Sequence, residues 1–595
     1  MPIQTSKNLG FDIELLVFKF PSVEAGLVDG PETSNLATTQ ETKEKFLKAM
    51  SLIEPKVEQT LDQHRPHFLV ADSVALRQSV REACVALSTV RNLRETELQV
   101  RVSELQTACT EAPGRRLQRR GRALVGAWGS TSHTLPLIDI AKVFASRGVK
   151  CTIVTTHANA PIISQAIKTS IGFGFEIKLV LIKFPSTEVG LPEGIESIKL
   201  EKTKEMRKGL VKATTLLQQQ VEQVLDQHHP HCLVADFLFH WATDVAAKFE
   251  IPRLVFHGTG FFALCALKSI MLYQPHLKVS SDSESFVIPS LPNEIKMTRN
   301  KLVPFLTLNG KTELIKLIKL SREAEERSYG IIVNSFYELE PDYADHYRKV
   351  LGKKSWHIGP VSLCNNVEID RSERGTEGLV DEAKECLNWL NSKNLNSVVY
   401  ICFGTMTKFS DSQLVEIAYG LEASRQQFIW VVKKEKNDKE AWLPEGFEQR
   451  VKGEGLIIRG WAPQLLILQH EAIGAFLTHC GWNSILEGVS AGVPMITWPV
   501  SAEQFYNEKL VTQILGIGVP VGAQNWEDGS LQSEASVKRE AIEKAVTEFM
   551  VGNKQEEMRT RVLALGEMAR RAVAEGGSSF SDLTVLIEEL SFLGS

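Results

Sequence analysis

The chain has 595 residues, and its 43% hydrophobic and 23% charged content matches an ordinary folded protein, which excludes collagen-like, fibrous and wholly disordered classes. The 67 Lys and Arg residues against 72 Asp and Glu residues leave a net charge of −5, so no general field favours nucleic acid or an anionic membrane as a partner. Nine cysteines without a C-x-x-C pair indicate neither a disulfide framework nor a structural zinc site, and no stretch reaches the ~18 apolar residues of a spanning helix. We therefore expect a soluble, cytoplasmic protein without a secretory leader.

The first part of the chain repeats a segment that lies further along. Residues 10–72 align without a gap onto residues 174–236, and the run Leu-Val-Ala-Asp ends both copies, at 69–72 and at 233–236. Two copies are too few for a stacked repeat fold, which needs about three units to bury a continuous core. We therefore interpret residues 1–73 as a partial duplicate of one domain, produced by duplication or by gene fusion.

An arginine-rich stretch follows at residues 74–122, with ten Arg and no Lys. Its basic run at 115–122 could mark a nucleic-acid or nuclear-targeting patch, but interleaved aromatic residues are lacking. A linker explains the stretch better. It is either helical, because apolar residues recur at three- and four-residue spacings within 74–106, or disordered.

From about residue 123, short β-branched and apolar runs alternate with helical segments, which is typical of parallel sheets wrapped by helices. The predicted strands contain residues 151–154, 179–182, 233–235, 398–403, 428–432 and 456–458. A polar stretch at 364–378 separates two such series and predicts a linker between α/β domains at 123–363 and 379–575. A C-terminal helix at 576–595 is predicted to pack back on the N-terminal domain. In such folds, ligands bind in the cleft beyond the carboxyl ends of the strands.

The most specific pattern extends from Trp461 to Gln504. Residues 476–478 end a predicted strand, Gly481 forms a tight turn, and residues 483–484 open the next helix. A helix N-terminus beside a glycine presents free backbone N–H groups and the positive end of the helix dipole. That arrangement is suited to binding a diphosphate.

Side chains around this turn suit the other parts of a nucleotide-sugar. Trp461 offers a flat face on which a base can stack, and His479 adds a donor for phosphate. Glu487, one turn into the helix, can accept hydrogen bonds from ribose hydroxyls. Glu503 and Gln504, predicted at the end of the following strand, can bind a sugar through hydrogen bonds. The pattern therefore predicts recognition of a nucleotide-sugar.

This stretch resembles the signature box of plant UDP-sugar-dependent glycosyltransferases, and the run 502–511 resembles the subgroup that acts on flavonoids, triterpenoids and hormones. The resemblance begins at about His133 and implies a GT-B fold, in which two Rossmann-like α/β domains face each other across a cleft. It also implies that Gln504 goes with glucose as the sugar. The resemblance implies that uridine is contacted by Trp461, Ala462, Gln464 and Glu487. It implies that phosphate is contacted by Thr405, His479, Asn483 and Ser484. The implied sugar contacts are Trp482, Glu503 and Gln504, with Gly481 in the turn.

The resemblance further implies a catalytic pair. His133 occupies the family's catalytic-histidine position, in the loop after the first strand, and Asp236 ends a predicted strand at the partner position. In the implied mechanism, His133 Nε2 takes the acceptor proton while Asp236 orients the ring and stabilises the imidazolium. The acceptor oxygen attacks the anomeric carbon in line, without a metal or other cofactor, and gives a β-glycoside. The implied enzyme is an inverting, monomeric UDP-glycosyltransferase that moves glucose to a small hydrophobic acceptor such as a flavonoid or triterpenoid.

The chain departs from this family before the histidine. Ser132 stands where the family has Gly, and the preceding residues 122–131 are short and interrupted by glycine where a long apolar strand is expected. A weak or displaced first strand would move His133 and slow the reaction. The alternative is therefore a UDP-sugar-binding but catalytically impaired protein from a duplicated or fused gene.

Two other motifs are better explained without a ligand. The run 228–232 contains three histidines and a cysteine, but a proline breaks any helical spacing, so no metal site is predicted. The glycines of 516–522 have the wrong spacing for a dinucleotide fingerprint and predict a loop and a strand.

Overall fold

The structure, a computed structural model, describes residues 121–127, 131–192, 194–196, 203–307, 313–365, 380–434, 442–527, 535–552 and 554–593. All of them belong to one compact unit, Leu117–Ser595. The predicted duplicate at 1–73, nearly all of the arginine-rich stretch at 74–122 and most of the predicted linker at 364–378 lie outside the described residues.

The N-terminal domain is built on a parallel sheet. Its strands and an accompanying hairpin are β1 (Arg122–Gly126), β2 (Lys150–Thr156), β3 (Ile177–Ile182), β4 (Cys232–Asp236), β5 (Arg253–Phe256), β6 (Ser285–Val287), β7 (Lys296–Thr298), β8 (Gly330–Val333) and β9 (Ser355–His357). The sheet has the order β3-β2-β1-β4-β5-β8-β9, and the antiparallel pair β6-β7 lies apart from it. The helices are α1 (Thr131–Ser146), α2 (Ala160–Gly172), α3 (Lys204–Leu216), α4 (Gln218–His228), α5 (Trp241–Lys248), α6 (Phe261–Tyr273), α7 (Pro304–Thr307), α8 (Glu313–Glu326) and α9 (Pro341–Asp345).

Strand β1 lies in the middle of this sheet despite its short, glycine-interrupted sequence. It pairs in parallel with β2 and with β4, and Leu124 and Val125 are completely buried. A central parallel strand is covered on both faces, so even a short apolar run is held firmly by its two neighbours. The expectation of a weak or displaced first strand was therefore wrong.

The C-terminal domain repeats this architecture. Its strands are β10 (Val398–Cys402), β11 (Gln427–Val432), β12 (Gly455–Arg459), β13 (Ile473–Thr478), β14 (Met495–Thr497) and β15 (Gly518–Pro520), in the parallel order β12-β11-β10-β13-β14-β15. Its helices are α10 (Val380–Asn391), α11 (Asp411–Ser424), α12 (Phe447–Arg450), α13 (Gln464–Leu468), α14 (Trp482–Ala491), α15 (Gln504–Lys509), α16 (Arg539–Val551) and α17 (Lys554–Val573). The predicted α/β class, with two doubly wound parallel sheets, is thus confirmed.

A last helix, α18 (Ser578–Leu593), returns to the N-terminal domain. Its apolar side packs into the same core as β1 and α1, with Leu586 completely buried. At its start, the Asp582 carboxylate accepts a hydrogen bond from the backbone N–H of His357 at 2.9 Å and lies 2.5 Å from Arg348 Nη2. The chain therefore crosses from the C-terminal sheet back to the edge strand β9.

Candidate active site

A cavity of about 1230 Å³ opens at the carboxyl ends of the strands of both sheets. This is where parallel α/β sheets place their binding sites, because the loops after the strands converge there. The cavity is lined by every predicted site residue: His133, Asp236, Thr405, Trp461, Ala462, Gln464, His479, Gly481, Trp482, Asn483, Ser484, Glu487, Glu503 and Gln504. Residues separated by several hundred positions in the sequence therefore share one cavity.

His133 and Asp236 form a hydrogen-bonded pair on the wall of this cavity. His133 Nδ1 lies 2.5 Å from Asp236 Oδ2, and Asp236 Oδ1 accepts from the backbone N–H of Leu238 at 2.9 Å. The carboxylate is 6% exposed, whereas the imidazole is 35% exposed. The pair therefore has a buried carboxylate that fixes one ring nitrogen and leaves Nε2 as the nitrogen that can meet a ligand.

Burial and charge act in opposite directions on this pair. Burial lowers the pKa of His133, but the charge and hydrogen bond of Asp236, together with the charge of Glu503, outweigh it and raise the pKa above the usual value. Burial raises the pKa of Asp236, but His133 and the Leu238 N–H outweigh it and lower the pKa. Asp236 is therefore ionised and can balance the charge of a protonated His133.

The sequence placed His133 in the loop after β1, and this detail was wrong. His133 lies in the first turn of α1, which begins at Thr131. The helix anchors the side chain to the sheet, because the next apolar residues of α1 pack in the core with Leu137 and Ile138 buried. His133 is thus positioned by a helix rather than by a loop.

Gly258 is a site residue that the sequence analysis missed. It lies in the loop after β5 with a φ of 71°, and a Cβ added there would lie 3.3 Å from His133 Nε2. The missing side chain leaves room beside the nitrogen that faces the cavity. The sequence shows a glycine directly after His257, but a single sequence does not reveal that this glycine lies near His133.

Buried polar groups interact with Asp236 and with the residues around it. Arg253, 2% exposed, donates from Nη2 to the Asp236 carbonyl oxygen at 3.0 Å and from Nη1 to Thr243 Oγ1 at 2.6 Å. His257 Nε2 lies 3.0 Å from Glu325 Oε2, and its charge contributes to lowering the pKa of Asp236. The Arg253 hydrogen bonds hold the end of β4 in place, and the sequence analysis did not predict them.

We call residues 479–484, which connect β13 to α14 and include its first turn, the anion turn. Gly481 is the N-cap of α14, so Trp482, Asn483 and Ser484 form the first turn of the helix, where N–H groups have no intrahelical partner. The predicted helix therefore begins one residue earlier than expected. A helix start with these N–H groups beside the cavity is suited to holding phosphate.

His479 is held within this anion turn between two glycines. A Cβ at Gly404 would come within 2.5 Å of its ring, and a Cβ at Gly481 within 2.4 Å. Burial, helped by the charge of Lys433, lowers the pKa of His479 to about 3, so the ring is neutral. Its buried Nδ1 has no hydrogen-bond partner among the described residues. A buried nitrogen without such a partner is a candidate for a hydrogen bond to a ligand.

Glu487 is oriented by Gln464. Gln464 Nε2 donates to Glu487 Oε2 at 2.6 Å and lies 3.3 Å from Ser484 Oγ, while Tyr400 Oη donates to Gln464 Oε1 at 3.3 Å. The Gln464 amide thus links α13 to α14 along the wall of the cavity. Glu487, 5% exposed, is a fixed acceptor for hydroxyl groups.

Glu503 and Gln504 lie at the start of α15, not at the end of a strand as expected. The strand β14 ends at Thr497, and Glu503 is the N-cap of α15. Glu503 Oε1 accepts from Asn507 Nδ2 at 3.1 Å, and burial raises its pKa. Gln504 Oε1 accepts from the N–H groups of residues 500 and 501 at 2.9 and 2.8 Å, so its Nε2 is the group that can donate into the cavity.

The remaining predicted residues lie at two edges of the cavity. Trp461 and Ala462 follow β12, and the Trp461 Nε1 atom is buried without a partner among the described residues. Thr405 follows Gly404 after β10. Trp482 borders the cavity, but its indole Nε1 donates to the Asn334 carbonyl oxygen of the N-terminal domain at 2.7 Å.

Within the part of the chain that the structure describes, no group of three or more His, Cys, Asp or Glu residues could hold a metal ion. The same residues include no helix long and apolar enough to cross a membrane.

Cys480 is buried, and burial together with the charge of Glu508 raises the pKa of its thiol, which disfavours a nucleophilic thiolate.

The chain is similar to known proteins over most of its length. The sequence model described as "UDP-glucoronosyl and UDP-glucosyl transferase" matches residues 328–528. The chain is 63% identical to UDP-glucose flavonoid 3-O-glucosyltransferase 7 of Fragaria ananassa over 78% of this chain and 94% of that protein. It is 53% identical to scopoletin glucosyltransferase of Nicotiana tabacum over 78% of this chain and 96% of that protein.

A solved structure is similar over the same part of the chain. The crystal structure of Glycyrrhiza uralensis UGT73P12 complexed with glycyrrhetinic acid 3-O-monoglucuronide has a TM-score of 0.75 at 41% identity, and the match covers 80% of this chain and 96% of that one. The two parallel sheets facing across the cavity are the GT-B fold that the sequence predicted. The chain belongs to the UDP-glucoronosyl and UDP-glucosyl transferase family.

Proposed function

We propose that this chain transfers glucose from UDP-glucose to a hydroxyl group of a small hydrophobic acceptor and forms a β-glycoside. The observation that carries the proposal is the position of the His133–Asp236 pair and of the anion turn on one cavity. A base for the acceptor proton therefore lies in the same space as a site for a diphosphate leaving group. The names of the strawberry and tobacco relatives, which specify glucosyl transfer to a flavonoid and to scopoletin, support this choice.

The proposed reaction begins with the acceptor hydroxyl hydrogen-bonded to His133 Nε2. As the oxygen attacks the anomeric carbon, its proton passes to Nε2, and the bond between that carbon and the diphosphate oxygen breaks. The electron pair of this bond leaves on UDP, and attack from the opposite face inverts the configuration. Asp236 accepts from Nδ1–H and stabilises the imidazolium. General-base assistance of this kind contributes about 10²–10⁴-fold.

The donor contacts are proposed from the family resemblance, and the hydrogen bonds within the C-terminal domain support them. The Trp461 ring stacks on uracil, Ala462 and Gln464 contact the base and ribose, and Glu487, oriented by Gln464, accepts from the ribose hydroxyls. The diphosphate lies on the anion turn, with Thr405, His479, Asn483 and Ser484 as donors. The sugar lies against Glu503 and the Nε2 group of Gln504, with Trp482 bordering it.

The acceptor is proposed to occupy the part of the cavity inside the N-terminal domain. This part is walled largely by apolar side chains, Leu135, Phe184, Leu210, Leu238, Phe239 and Leu317. Burial of aromatic or terpenoid carbon against such a wall stabilises the complex by about 25 cal/mol per Å². A phenolic or triterpenoid acceptor fits it better than a free sugar or an amino acid.

The alternative of a catalytically impaired protein is not favoured. It depended on a displaced first strand and on the additional N-terminal segment, and the first ground fails because β1 is central and His133 pairs with Asp236. A cytoplasmic location, a monomeric state and metal-free catalysis stay predictions.

The proposal is tested by incubating the full chain with UDP-glucose and a panel of phenolic and triterpenoid acceptors. Release of UDP that requires an acceptor, with a β-linked glucoside identified by the coupling of its anomeric proton, is expected. An α-linked product would overturn the inverting mechanism. UDP binding without release from UDP-glucose, for every acceptor, would favour the impaired alternative.

A further inference from the structure

Trp482 joins the C-terminal domain to the N-terminal domain. The residue opens helix α14 and is 2% exposed. Its indole Nε1 donates to the carbonyl oxygen of Asn334, which directly follows β8, at 2.7 Å. A short, buried hydrogen bond between domains fixes both distance and orientation, because an unpaired carbonyl or indole N–H in this place is costly.

The Trp482 ring packs closely against the N-terminal domain. A Cβ at Gly260 would lie 2.5 Å from the Trp482 ring and 2.7 Å from Glu340 Oε1, so the backbone and the indole are in close contact. Glu340 accepts from the N–H groups of Phe261 and Phe262 at 3.0 and 2.7 Å. The contact therefore involves the N-terminus of α6 and cannot shift freely.

The same loop reaches the proposed base. Residues 257–260 connect β5 to α6, with Gly258 beside His133 Nε2 and Gly260 against Trp482. On the other side, Trp482 is followed in α14 by Asn483 and Ser484 of the anion turn. One loop thus relates the position of the base to the position of the diphosphate site.

We propose that Trp482 is a positioning residue, whose indole sets the distance between the anion turn and His133 through the loop 257–260. This inference rests on the proposed function, because it concerns the alignment of donor and acceptor. It assigns the indole a role between the domains, separate from any contact with the sugar. A misplacement of about 1 Å between reacting groups can cost about 10²-fold in rate. A small shift of the anion turn relative to His133 therefore has a large effect on kcat.

The test is Trp482→Phe, which removes the N–H but keeps an apolar ring. With UDP-glucose and a saturating acceptor, kcat is expected to fall about 10- to 100-fold. The dissociation constant of UDP, measured by calorimetry, is expected to stay unchanged, as is the apparent pKa of the pH–rate profile. Trp442→Phe is the matched control, because Trp442 is 1% exposed and packs on Trp430 within the C-terminal domain. Its kcat is expected to stay close to that of the wild type.

Gly260→Ala changes the same contact from the side of the N-terminal domain. It is expected to show the same fall in kcat with unchanged UDP binding. If Trp482→Phe does not fold, the result for Gly260→Ala decides. Wild-type kcat in whichever of these variants folds and binds UDP would overturn the inference. A loss of UDP affinity that accounts for the loss of rate would also overturn it, because the indole would then be a donor contact. Failure of the wild type to bind UDP would instead refute the proposed function.

Discussion

At the scale of single residues, the proposed role of His133 as a base makes the expected rate depend on pH. His133 must be neutral to accept a proton, and Asp236 raises its pKa by favouring the imidazolium. kcat/KM is therefore expected to fall as the pH decreases through the pKa of His133. In Asp236→Asn the charge is lost, so the acidic limb of the profile should move to lower pH while the maximum rate falls by about 10²-fold or more.

The measurement is kcat/KM from acid to neutral pH for both proteins. Glu294→Ala is a suitable control, because Glu294 forms an exposed ion pair with Lys296 on the hairpin. An acidic limb that stays in place in Asp236→Asn would show that Asp236 does not set the pKa of the base.

Gly258 provides a second prediction for a single residue. In Gly258→Ala the new Cβ would lie 3.3 Å from His133 Nε2, where the acceptor hydroxyl is expected. Activity should fall about tenfold or more, since the acceptor oxygen cannot approach in line. UDP binding should be unaffected. Gly352→Ala has a similar φ of 64° and open space around the Cβ, so it reports the cost of backbone strain alone. Equal activities for the two variants would contradict a role for the space beside Nε2.

At the scale of elements, the predicted strands of both sheets were confirmed where an apolar run stood between polar turns, as in β11 and β12. Strand β1 was underestimated because its residues 122–126 look weak in isolation, and only pairing on both sides makes them a central strand. The helix α15 was mistaken for a strand end because the segment 498–503 lengthens the connection after β14. Local patterns predict an element, but its neighbours decide where it ends.

Helix α18 gives a prediction at this scale. Leu586→Ala removes a completely buried side chain from the core that the helix shares with β1 and α1. A loss of about 2–5 kcal/mol is expected, read as a lower Tm. Leu593→Ala on the same helix is the control, because Leu593 is 55% exposed and should leave Tm nearly unchanged. Similar Tm values for both variants would contradict the packing of α18 on the N-terminal domain.

At the scale of the whole molecule, the alternation of strands and helices predicted the two-sheet architecture. The family resemblance, carried by the box from Trp461 to Gln504 and by His133 and Asp236, implied the residues around one cavity. The sequence did not predict the direct contact between the domains at Trp482. The contacts of Trp482 with Asn334 and Gly260 join residues far apart in the chain, and no periodicity records such a pairing. The acceptor wall was missed for the same reason, since apolar residues there resemble any other core positions.

The proposed role of His133 is to act as the base for glucosyl transfer on a cavity that also holds UDP. Its most direct test measures kcat for UDP-glucose and a phenolic acceptor in the wild type and in His133→Ala, with UDP titrated calorimetrically into both. His470→Ala, which changes a histidine bonded to Asn391, is the control. A fall in kcat of about 10²–10⁴-fold is expected in His133→Ala, with an unchanged dissociation constant for UDP. Equal turnover in the wild type and in His133→Ala would contradict it.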